Sequence, residues 1–137
     1  MSYHAMILVP PHNTVSLQNI EEKLRTFYTN DQRRIQFSYD RDYAEGALFL
    51  KLSVNDWICK IYFLTDDDII EEAREMAEES AANHPEKNLI ASCASRFEIA
   101  CAPDANMDYF NDYVWVLNVI ETFPPVYIWD EAAQNFV

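Results

Sequence analysis

The stretch RIQFSYDRDYAEGALFLKLSVNDWICKIYF, residues 34–63, decides the fold class. Its apolar residues recur at every second position in three runs. Ile35, Phe37 and Tyr39 form the first, Leu48, Leu50 and Leu52 the second, and Trp57, Cys59, Ile61 and Phe63 the third. Successive side chains of a strand point to opposite faces, so each run reads as a strand with one apolar face. The segments between them favour turns. DRDYAEG, residues 40–46, ends on Gly46, and VND, residues 54–56, is a short break. Strands joined this closely form an antiparallel meander.

The flanks add helices and further strands. His4 to Val9 is a continuous apolar run closed by Pro10 and Pro11, and it reads as a strand. Ser16 can cap a helix that places Leu17, Ile20, Leu24 and Phe27 on one face, at i, i+3, i+7 and i+10. TDDDIIEEAREMAEESAANHP, residues 65–85, is the clearest helix. Thr65 and Asp68 make a capping-box-like pair, and Asp66, Asp67 and Asp68 suit the positive end of the helix dipole. Ile69, Ala73, Met76 and Ala77 share its inward face, and Pro85 ends it. NLIASCAS, residues 88–95, suggests a short helical turn. Arg96 to Ala102 alternates with Phe97, Ile99 and Cys101 on the apolar side. A third helix is predicted from Met107 to Phe123, stopped by Pro124 and Pro125. Val126 to Trp129 is a last strand, and Phe136–Val137 a weak edge pair.

The order β-α-β-β-β-α-β-α-β predicts an α+β domain. The expected architecture is a single, mostly antiparallel sheet with helices packed on one face, a ferredoxin-like sandwich. No linker, repeat or low-complexity tract breaks residues 1–137, so they are expected to form one domain.

Composition excludes more than it identifies. The formal net charge is −13, from 23 acidic and 10 basic residues. Phosphate backbones and anionic membrane surfaces would repel such a chain, so neither nucleic acid nor membrane is expected as a partner. A basic protein would be steered in, although plain solubility also accounts for an acidic balance. The three cysteines, Cys59, Cys93 and Cys101, form no C-x-x-C pair, and their odd number argues for a reducing cytoplasm over a secreted disulfide framework. The N-terminal MSYHAMILVPPHN does not read as a signal peptide, and no apolar run is long enough to span a bilayer. Gly46 is the only glycine, which excludes a Walker A loop, a dinucleotide fingerprint and a G-x-S-x-G elbow.

DANMDYFNDYVW, residues 104–115, tests for a metal. Asp104, Asn106, Asp108 and Asp112 match the first, third, fifth and ninth positions of an EF-hand loop. However, Tyr109 stands where that loop turns on glycine, and Trp115 where it needs a bidentate carboxylate. Asp104 or Asn106 is better read as a helix cap, with Asp108 in the first turn. His4, His12 and His84 have no ligand partner nearby in sequence. Cys59 and Cys101 read as packing residues, and Cys93 as partly exposed. No cofactor, metal or catalytic residue is expected.

Two surfaces remain. Asn111, Asn118 and Thr122 mark the solvent stripe of the third helix, and Trp115 falls within it. Tryptophan is enriched at binding hot spots, although a neighbouring segment covering it would account for it equally well. Trp115, Asn111, Asn118, Asp108 and Asp112 are therefore the expected partner-binding residues. The outward face of the sheet gathers Arg34, Lys51, Lys60 and Arg96 with Gln36, Phe49, Tyr62 and Glu98. The expected function is a non-catalytic acidic protein-binding module, such as a cytoplasmic immunity-type inhibitor of a basic toxin or of another basic protein. The alternatives are a small carboxylate-lined ligand-binding or enzymatic domain, and a structural homo-oligomer such as a homodimer.

Overall fold

The computed structural model describes residues 2–137. Its elements run β1 (His4–Val9), α1 (Leu17–Phe27), β2 (Ile35–Arg41), β3 (Leu48–Val54), β4 (Trp57–Leu64), α2 (Asp67–Ser80), α3 (Lys87–Ala91), β5 (Ser95–Cys101), α4 (Phe110–Glu121), β6 (Tyr127–Asp130) and β7 (Asn135–Phe136). The fold is α+β. All strands join one sheet in the order β2-β3-β4-β5-β1-β6-β7, with every neighbouring pair antiparallel. Beyond the predicted order, α3 and β7 stand as elements of their own.

The meander forms where the alternation places it. Phe37 lies opposite Leu52, and Leu52 opposite Cys59. Gly46 turns β2 into β3 at φ 71°. Asn55 turns β3 into β4 at φ 53°, a left-handed conformation that asparagine tolerates better than most residues. Leu50, Leu52, Val54, Cys59 and Ile61 are buried, while Tyr39 and Leu48, expected on the same apolar side, lie at the exposed end of the sheet.

The helices do not share one face, which corrects the ferredoxin-like sandwich. α1 and α4 cover the face that carries Ile7, Val9, Leu50, Leu52, Phe97, Ile99 and Ile128. Ala73, Ala77 and Ala81, with Ile90 and Cys93, close over Leu8 and Tyr127 on the opposite face. The reason lies in β1. A strand packed on one side alternates, whereas Ile7, Leu8 and Val9 are all buried because each face of β1 has its own helical layer.

This second layer also divides the outward sheet face. Arg96, expected in solvent, is only 8% exposed, held by Glu72 of α2 and by Glu98. At the uncovered end the Lys60 ammonium lies 5.1 Å from the centre of the Phe49 ring, which Tyr62 also covers.

The helix starts show which capping signals hold. Ser16 Oγ accepts the Asn19 amide at 3.2 Å and Asn19 Oδ1 accepts the Ser16 amide at 2.9 Å, a reciprocal box. Ser16→Ala is expected to cost about 1 kcal/mol, measured by urea unfolding; an unchanged midpoint would mean that water replaces the cap. Thr65 caps nothing: α2 begins after Asp66, without a side-chain cap bond. The third helix begins at Phe110, not at Met107, because residues 105–109 turn first and Met107 sits at φ 58°. Asp104, rather than Asn106, fixes that turn. Its Oδ1 accepts the Asp108 amide and its Oδ2 the Tyr109 amide, both at 2.9 Å. Asp108 therefore precedes the first helical turn, in which Asp112 stands.

Candidate functional site: the groove between α1 and α4

α1 and α4 lie side by side on one face of the sheet, and the seam between them opens to solvent. Leu24 is followed by Phe27 at i+3 and Tyr28 at i+4. The structure buries Tyr28 and leaves Phe27 47% exposed. Phe27, expected in the core stripe, instead meets Trp115 with ring centroids 5.0 Å apart and planes at 52°. Trp115 is half-buried: it leans from the edge of the solvent stripe onto α1.

The two rings wall a groove of about 370 Å³ with Lys23, Thr26, Asn118, Val119 and Thr122. The Lys23 ammonium crosses the seam, donating to Thr122 Oγ1 at 2.7 Å and lying 5.0 Å from the centre of the Phe123 ring. Asn118 borders the groove; Asn111 and Asp108 are exposed toward the start of the same helix. The site is thus an aromatic floor with a polar rim, the usual anatomy of a protein-binding patch.

Asp112 is not part of this surface, which corrects its expected partner-binding role. It is 1% exposed and lies under the helix. Tyr28 donates to its Oδ1 at 2.7 Å, and Arg33 donates to Oδ2 at 2.9 Å and to Oδ1 at 2.8 Å. Arg33 also donates to both carboxylate oxygens of Asp31, at 3.0 and 2.8 Å. These bonds hold the Asp31 carboxyl below its ordinary range. Burial, then the Asp112 carboxylate, pushes the Tyr28 hydroxyl well above a normal phenol. The network ties Tyr28, at the end of α1 and next to Phe27, to Asp112 of α4. Sequence gave no sign of it, because Arg33 and Asp112 are 79 residues apart.

The three cysteines and His84 are also committed to structure, whereas His4 and His12 are exposed. Cys59 and Cys101 sit opposite each other on β4 and β5 with their sulfurs 3.5 Å apart. Cys93, expected to be partly exposed, is buried in the second core, and burial pushes its thiol up to about 12. His84 Nδ1 accepts the Glu86 amide at 3.0 Å. Among the described residues, no group of three or more His, Cys, Asp or Glu is placed to hold a metal ion, and no helix is long and apolar enough to cross a membrane. A scan against family models, a search of curated proteins and a search of solved structures each find no match for this chain.

Proposed function

We propose that this chain is a non-catalytic protein-binding domain that receives a basic partner on the α1–α4 groove. The observation that carries the reading is the pairing of exposed Phe27 with half-buried Trp115, an aromatic anchor site on a chain of net charge −13. The charge supplies steering and the groove supplies short-range affinity. α2, on the opposite face of the sheet from the groove, adds only to the long-range field, with Asp67, Asp68, Glu71, Glu75, Glu78 and Glu79 exposed along it. A cytoplasmic inhibitor of the immunity type, masking the positively charged active site of a toxin, is the specific form of this proposal.

The test begins with a pull-down by the tagged chain from lysate of its source organism, washed at low and then high salt. A basic protein held at low salt and shed at high salt is the expected result. Trp115→Ala is then expected to weaken binding of that partner by about 2 kcal/mol or more, the range of hot-spot residues. An unchanged affinity in calorimetry would remove the groove from the interface. A stable dimer in light scattering would indicate instead that a second copy fills it.

A further inference from the structure

A second cleft lies on a different side of α4. Phe110 and Trp115 are five positions apart, roughly 140° around the helix, so the cleft and the groove face different directions. The cleft opens where the start of β1, the first turn of α4 and the turn after β6 converge. Tyr3, His4, Phe110, Tyr113, Asp130 and Glu131 line its volume of about 470 Å³, which is within the range of small-ligand sites.

Its walls have two chemistries. One is aromatic: Tyr3 stacks on Tyr113 at 5.0 Å and 20°, and Phe110 meets Tyr3 edge-on at 5.6 Å and 68°. These rings are held in place, because the Tyr3 hydroxyl donates to Asp104 at 2.7 Å. Phe110, at 39% exposed, has no comparable cover. The other wall is anionic. Asp130 Oδ1 accepts the Ala132 and Ala133 amides at 3.0 and 3.4 Å, so its turn is ordered, and among the described residues no hydrogen bond is made to Oδ2. Glu131 beside it is exposed. Among the described residues that line the cleft there is no lysine or arginine, and His4 is the one basic side chain.

Aromatic rings attract cations through their electron-rich faces, and a guanidinium also matches carboxylates with a planar fork. We propose that this cleft binds the guanidinium end of an arginine side chain, supplied by the basic partner. The partner as source rests on the function proposed above; the affinity of the cleft for the group does not.

The experiment is an NMR titration of the full chain with N-acetyl-arginine methylamide and, separately, with the neutral citrulline analogue of the same shape. Saturable shifts confined to Tyr3, Phe110, Tyr113 and residues 130–132 are expected, with the arginine compound bound about fivefold or more tightly. Phe110→Ala and Glu131→Gln, both at exposed positions, should each weaken it severalfold while the remaining spectrum is unchanged. Equal binding of citrulline would overturn the proposal, since the cleft would then be merely apolar. Shifts spread along α2, or none that saturate, would overturn it as well. These outcomes are independent of Trp115→Ala: if that substitution leaves partner binding intact while the cleft still selects arginine, only the groove reading fails.

Discussion

Asp112→Ala is expected to cost about 3 kcal/mol, near the lower end of the range for removing one partner of a buried ion pair. The substitution leaves the Tyr28 hydroxyl without its acceptor and strips two bonds from Arg33. The cost stays near the lower end because the Arg33 side chain is 31% exposed and keeps Asp31. Against a total stability of about 5–15 kcal/mol, this is a large share. Asp112→Asn preserves the shape and one acceptor oxygen, so it is expected to lose less; the difference isolates the charge. Urea unfolding of the three proteins makes the comparison. A loss below about 1 kcal/mol for the alanine variant would show that Asp31 and water satisfy Arg33, and that the network braces nothing.

The second large effect is alkaline unfolding. Burial, with neighbouring carboxylates, pushes Tyr3 and Tyr127 up to about 12, and Tyr28 and Tyr113 higher still. Cys93 is pushed up to about 12 by burial alone. Each group keeps its proton in the folded chain and releases it near its ordinary value once unfolded. The stabilisation is therefore complete below about pH 9 for the thiol and about pH 10 for the phenols, and it is lost as pH rises toward the folded values. One unit of such a difference is about 1.4 kcal/mol for one group, so several groups together can exceed the whole stability of a domain. Cooperative unfolding is expected between pH 10 and about 12, with tyrosinate absorbance and loss of circular dichroism rising together. A gradual tyrosinate titration over an intact dichroism signal would show that these hydroxyls ionise without unfolding the fold.

Local patterns were legible in the sequence and their tertiary context was not. The alternation through Leu50, Leu52, Cys59 and Ile61 identified the meander because one face of these strands is buried. The Ser16 cap was legible because its bonds close within the first turn. The two-sided sheet was also written in residues 4–9, in an apolar run that does not alternate, but a short run of that kind fits several environments. Alternation placed Arg96 on the outward sheet face, and Asp112 was expected among the partner-binding residues. Each is buried beside charges far away in the chain, Glu72 for one and Arg33 for the other. Trp115 was legible as an anomaly on a polar stripe. Its partner Phe27 was not, since helical spacing cannot distinguish the edge of a core stripe from its centre.

The position of β1 also bears on the order of assembly. Its Ile7 pairs with Phe97 on one side and with Ile128 on the other, so the centre of the sheet joins distant parts of the chain. Contacts of this range slow folding, because loop closure precedes any gain from them. During synthesis, β1 emerges before both of its neighbours and waits for them, while the hairpin of β3 and β4 can form at once. A chain halted before β6 would hold a finished meander beside a strand with an open edge. Such an intermediate is adhesive, and it makes the stretch from β6 onward the segment that protects β1.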